Sequence, residues 1–368
     1  MPMKQLRRTL SFVCLVTVVS AQTYIVDAAN GPGTNFTDIA AAVAAVPDGA
    51  MLDVRAGAYA PFTIAGKGLS IFCASGVTLT HQGFAVSGTS AAQTVVVRGV
   101  QIHLGYLVLA NCQGPVVIEH CAFFYQGFNA WMPLDIYDCA QVHVTDCALG
   151  GTGSPAVQAT NSTVMLRNSS LRGQNCLHAF SSTVDFVECV QQQINPGSII
   201  LGSPAMFLQG SSVRLVGGSV AVSYGPCITG IGTARVDPTA SLNPGNGYPV
   251  STIPLVIAPM PSVVATDGPL GGVVSTTMRG PMGELGALLV GLPGVPWSYP
   301  GIVDPIWLQP GSEGVCAFTV FAAGTPLQVT CAVPNVPAMR GMRFGWQGAT
   351  YSPTSGLQAS NPAITTHW

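Results

Sequence analysis

Six segments of this chain begin with Val and repeat one another roughly every 22 residues. They start at Val95, Val116, Val142, Val164, Val184 and Val213. Two residues later stand Val97, Ile118, Val144, Leu166, Phe186 and Leu215, all apolar. Five residues after the start come Val100, Cys121, Cys147, Ser169, Cys189 and Gly218, all small or apolar. The positions between admit polar residues: His143, Asp185 and Arg214 in one row, Arg98, Glu119, Thr145 and Arg167 in another. Alternation with period two inside a unit is the mark of a strand with one buried face. Weaker copies start at Leu52, Leu69 and Ala234. A single strand of this kind cannot bury its inner face alone, but stacked coils can. A propeller blade needs a period of about 40 or more, and a leucine-rich repeat needs a spaced Leu/Asn pattern that is absent. The repeat predicts a parallel β-solenoid of about nine coils.

Composition then becomes intelligible. Charged residues make up 8% of the 368, against about 25% in an ordinary soluble domain. Mean hydropathy is +0.45, which invites a membrane reading. Yet the longest uncharged stretch beyond the N-terminus, Pro238–Thr266, holds Pro238, Pro244, Pro249, Pro254, Pro259 and Pro261, and no spanning helix tolerates proline at that density. Stacked coils favour neutral columns, because a like charge every ~4.8 Å up a ladder is repulsive. The scarcity of Lys and Arg also argues against a nucleic-acid partner, whose phosphates need basic clusters.

Residues 1–21 read as a secretory signal peptide. Lys4, Arg7 and Arg8 form a positive start, Leu10–Val19 an apolar run, and Val19-Ser20-Ala21 a small-residue cleavage site. The expected mature chain is exported, to the extracellular space, the cell surface or the periplasm. Its net charge is 10 − 15 = −5. It keeps 10 of the 11 Cys, and disulfides are permitted in such a compartment. Cys316 and Cys331 flank a turn at Ala323-Gly324 between two expected strands, and are the favoured pair. Cys121, Cys147 and Cys189 share one column. They read better as a small-residue ladder than as disulfides, since directly stacked parallel positions are poor bonding geometry.

The segment Val26–Tyr59 carries a second signature: Val26-Asp27, Gly31-Pro32-Gly33, an Ala-rich helix from Thr37 to Val46, Asp48-Gly49, and Gly57-Ala58-Tyr59. Thr37 is the expected cap, and Ile39, Val43 and Val46 fall on one face, fit to lid the first coil. In these elements the chain resembles the pectin-lyase-like superfamily, over roughly residues 23–240. The resemblance implies a right-handed parallel β-helix with an N-terminal capping helix. It does not imply an activity, because that fold hosts lyases, hydrolases, esterases and non-catalytic adhesins. From about residue 241 the repeat stops and turn signals multiply, at Asn243-Pro244-Gly245, Asp267-Gly268, Gly271-Gly272 and Pro293-Gly294. Residues 241–368 are expected to form a small β-sandwich-like domain. Its piece Ala332–Tyr351 resembles a module found at the end of secreted bacterial proteins.

The motif strings of polygalacturonase-like, pectate-lyase-like and pectin-methylesterase-like enzymes are absent. What remains is a concentration of ionisable residues around two coils. Asp135, Asp138, Glu119, His120 and Asp146 are candidate catalytic groups, and two suitably spaced carboxylates support glycoside hydrolysis. Tyr125, Phe128, Trp131, Tyr137, His143 and Arg98 are candidate sugar contacts, since aromatic faces stack on sugar rings. His120 and His143 are one column out of register, so no metal site is expected. No cofactor is expected either, and nothing supports calcium. The reading is a secreted or surface protein that binds extracellular polysaccharide or serves as a rigid spacer. The alternative is an extracellular polysaccharide lyase or glycoside hydrolase.

Overall fold

The computed structural model describes residues 22–80, 82–126, 132–193 and 203–368. The expected signal peptide, Phe128 and Trp131 lie outside the described residues. The solenoid is present, and each coil has three parallel faces. The first face holds the repeat, in strands such as Val95–Arg98, Val116–Glu119 and Val142–Thr145. The second is a nine-stranded sheet with one short strand per coil, from Gly57–Tyr59 to Ser241–Asn243. The third includes Gly105–Ala110, Leu134–Tyr137, Pro155–Thr160 and Asn175–Phe180. Near the end, Met206–Val216 and Ile228–Val236 each run unbroken from the third face into the first.

Register follows the repeat. Val95 stacks on Val116, then Val142, Val164, Val184, Val213 and Ala234. One weak copy is displaced: Leu52 pairs with Ile71, so its coil is shifted by two residues from the expected alignment with Leu69. A slip of two keeps Leu52 facing inward, so hydrophobic alternation does not distinguish the two registers. Ladder pairing continues past residue 240, through Leu255–Ile257.

The corners carry ladders of their own. After each first-face strand one residue turns left-handed: His120 (φ 50°), Asp146 (φ 53°), Asn168 (φ 46°) and Glu188 (φ 52°). Asn111, Asp138, Asn161 and Ser181 do the same after the third face. Asn and Asp accept this conformation more readily than most side chains. The next residue is a small Ser or Cys. Its side chain accepts the N–H of its counterpart one coil earlier and donates to the carbonyl two residues back. Cys139 N–H donates to Ser162 Oγ at 3.0 Å, Ser162 N–H to Ser182 Oγ at 3.1 Å, and Cys147 N–H to Ser169 Oγ at 3.1 Å. Ser162 Oγ in turn donates to the Thr160 carbonyl at 2.7 Å. Cys121 and Cys147 occupy the same kind of rung as free thiols. The small-residue ladder is thus a hydrogen-bond ladder.

The capping helix is Ile39–Ala45, with Ile39, Val43 and Val46 buried as the lid of the first coil. Its cap is Asp38 and not Thr37: the Asp38 carboxylate accepts from Ala40 and Ala41 N–H.

The C-terminal region is antiparallel. Ser262–Ala265, Val273–Arg279 and Leu327–Ala332 form one sheet. Leu285–Gly291, Gly314–Val320, Arg343–Ser352 and Gly356–Thr366 lie in another, with Ile302–Val303 at its edge. Val263, Val274 and Met278 from the first meet Leu288, Trp346 and Ala363 from the second in a core of their own. The expected Cys316–Cys331 bond is not formed. The two strands do not make a hairpin: Gly314–Val320 pairs with Leu285–Gly291, while Leu327–Ala332 pairs with Val273–Arg279 in the other sheet. Both residues are free thiols, Cys316 exposed and Cys331 half-buried. No helix among the described residues is long and apolar enough to cross a membrane.

Candidate functional site

The candidate residues do not form one site. The three faces divide them, and the C-terminal domain covers the largest group. That domain lies along the outside of the first face. Arg340 grips Asp53 of an early coil with both guanidinium nitrogens. Arg343 donates to Thr94 Oγ1 at 2.9 Å. Arg167 donates to the Ala265 carbonyl, and Arg214 to the Pro261 carbonyl at 3.1 Å. Arg235 pairs with Asp304, and Arg279 with Glu188 at 3.1 Å. Of the basic residues beyond residue 21, 13 − 3 = 10 in number, these six and Arg98 reach across the seam. The few charges of this chain are therefore concentrated where its two parts meet.

Glu119 is 1% exposed. Its Oε2 accepts from Arg98 at 3.0 Å, and its Oε1 from the Thr366 hydroxyl at 2.7 Å. Burial, then the neighbouring Asp267 charge, pushes its carboxyl up, while Thr366 and Arg98 pull it down. Arg98 also donates to Asp267 Oδ2 at 2.8 Å, and its guanidinium lies 3.8 Å from the Trp368 ring centre. His143 is fully buried, with its ring edge against Trp307 at 5.3 Å between centres. Burial, followed by Arg343 and Arg167, holds its imidazole neutral, with a pKa down at about 3. The expectation of Glu119 as a catalytic group, and of His143 and Arg98 as sugar contacts, fails on access. All three are occupied by the second domain, whose position no local pattern reveals. His120 and Asp146 stay nearer the rim. His120 Nε2 is 3.1 Å from Asp267 Oδ2 and 3.7 Å from Asp146 Oδ2.

Tyr125 stands half-buried on the second face, opposite Gly151. Asp135, Tyr137 and Asp138 belong to the third face and its corner, where Asp135 is half-buried and Tyr137 and Asp138 are exposed among the described residues. Asp138 accepts from Asn161 Nδ2 at 3.1 Å as part of the corner ladder. Asp135 contacts Gln158 Nε2 at 3.5 Å, and its carboxyl is raised by burial first, with Gln158 opposing.

Register extends this third-face group into a patch that sequence reasoning missed. Asp135 stacks on Gln158, then His178, then Phe207. Beside it Tyr137 stacks on Thr160, Phe180 and Gln209. The alternate residues, Leu134, Ile136, Val157, Ala159, Leu177 and Ala179, face the core. His178, Phe180 and Phe207 form an aromatic triangle with centres 5.6–6.3 Å apart. Burial among them lowers the pKa of His178, so it presents a neutral ring. The available signal was the spacing of His178 and Phe180 two residues apart on an alternating strand. The Val repeat marks the first face alone, so it carries no sign of this pattern on the third.

No family model matches this chain, and no curated protein matches it. Among solved structures, one similar fold is the enzymatically active domain of tailspike protein 2 of bacteriophage CBA120. It matches with a TM-score of 0.33 and 8% identity, over 85% of this chain and 65% of that one. The chain thus spans about two-thirds of that domain's length.

Proposed function

We propose that this protein is an exported β-helix that binds polysaccharide on its third face. The observation that supports this most is the patch of half-buried His178, Phe180 and Phe207 with exposed Tyr137, beside Gln158, Gln209 and Asp135. Aromatic faces receive the C–H surface of a sugar ring, and amide and carboxylate groups bond its hydroxyls. Repetition of the same positions on successive coils suits a ligand that is itself repetitive. Recognition without turnover is the preferred role, because Glu119, Asp146 and Asp267 are engaged with Arg98, His120 and Asn168 at the domain seam. One observation favours the hydrolytic alternative: the raised carboxyl of Asp135 on the open face has the character of a general acid.

The test is a panel of plant, algal and bacterial polysaccharides, scored for both binding and release of reducing ends or unsaturated products. Wild type should retain at least one polysaccharide, with binding lost in Phe207→Ala and Phe180→Ala. Retention unchanged in both variants would overturn the site. Product release abolished by Asp135→Asn would replace the binding role with the hydrolytic one.

A further inference from the structure

His120, Asp146 and Asp267 come from three separate places: two successive corners of the solenoid and the C-terminal domain. Their donor atoms all lie within 4.8 Å of one another. The closest separation, 3.1 Å from His120 Nε2 to Asp267 Oδ2, is of the size that metal coordination imposes, and Asp146 Oδ2 stands slightly further off at 3.7 Å. Bonds of about 2.1 Å set neighbouring donors roughly 3.0–3.4 Å apart. A second observation points the same way. The Asp267 side chain is only 6% exposed, yet its Oδ1 is buried and accepts no hydrogen bond among the described residues. An acceptor left so in the interior is costly, and a cation held by both oxygens of that carboxylate would relieve it.

Asn168 Nδ2 holds Asp146 through its Oδ1, leaving Oδ2 turned to His120. Such outer hydrogen bonds are what orient metal ligands. His120 is 41% exposed on its side chain, so one side is open for entry and for water ligands.

We propose that His120, Asp146 and Asp267 bind a divalent transition ion that joins the C-terminal domain to the solenoid. One imidazole and two carboxylates suit zinc, cobalt or nickel better than calcium, which prefers six to eight oxygens. The competing account is direct contact among the three side chains with no ion between them.

Metal-stripped full chain would be titrated with zinc, cobalt and nickel chloride by calorimetry, with calcium chloride as the comparison. The expected result is one saturable site for a transition ion, binding at least ten-fold tighter than calcium, together with a rise in Tm. His120→Asn, which keeps a side chain suited to the left-handed corner, and Asp146→Asn should each weaken binding at least ten-fold and abolish the rise. Asp267→Asn should do the same, but it also touches the domain seam. The two rim variants therefore decide the question. No saturable binding in wild type, or equal binding in His120→Asn, would overturn the proposal and leave direct contact alone.

Discussion

Thr366 donates its hydroxyl to Glu119 at 2.7 Å across 247 residues of chain. That bond and the Arg98 contact at 3.0 Å turn a carboxylate expected at the surface into part of a domain interface.

Breaking the Arg98–Glu119 pair should be costly in an asymmetric way. Arg98→Met leaves Glu119 buried without its cation, and removing one partner of a buried pair costs about 3–5 kcal/mol. The double change Arg98→Met with Glu119→Leu should cost less than Arg98→Met alone, with a remaining cost from Asp267, which also loses Arg98. Denaturant midpoints of the three chains check this. A double variant at least as unstable as the single would disprove the reading.

The interface should also respond to acid through two buried groups of opposite sign. Burial raises Asp185 to about 6, with Arg214 opposing it and Asp304 adding to it. Its folded form binds the proton more tightly than the unfolded chain does. Its destabilising effect is therefore full above pH 6 and relieved as pH falls toward the ordinary carboxyl value of 3.8. His143, held near 3, stabilises above its ordinary 6.5 and loses that contribution as pH falls. Between about pH 6 and pH 4 the two oppose each other. Asp185→Asn removes one limb. Its stability should decline more steeply than wild type there, by up to ~1.4 kcal/mol per pH unit. Parallel curves would exclude this assignment.

The corner ladders predict a ranking at Ser162. Ser162→Ala orphans the buried Cys139 N–H and should cost about 1–3 kcal/mol. Ser162→Cys should cost less, because a thiol already fills this rung at Cys121 and Cys147. Thermal unfolding of both variants tests the order.

Thiol labelling separates the cysteines by the same geometry. Cys316 is exposed, although burial of its sulfur, then Cys331, pushes its pKa to about 11 and slows alkylation. It should label in the native protein, whereas Cys121, Cys147 and Cys189 should label only on unfolding. Rapid native labelling of a ladder thiol would mean that the coils open locally.

The solenoid was legible because its information is local and repeated. Val at the start of six units and apolar residues two further on dictate both strand and stacking. The corner column of His120, Asp146, Asn168 and Glu188 follows from the same alignment. The site was less legible because its decisive neighbours lie far away in sequence. Nothing around Glu119 or His143 announces Thr366 or Trp307, so a charged outward position reads as solvent-exposed until a second domain is laid on it. Phe180 and Phe207 illustrate a different gap: their pattern was local, but it belongs to a face whose strands the Val repeat does not mark.

A stack of coils held only by nearest neighbours is free to fray from either end, one coil at a time. Here the C-terminal domain grips Asp53 near one end and Arg235 near the other. It acts as a splint along the column, so loosening any coil beneath it also means tearing the splint. The chain should therefore melt in one step and transmit a pull along its axis with little stretch.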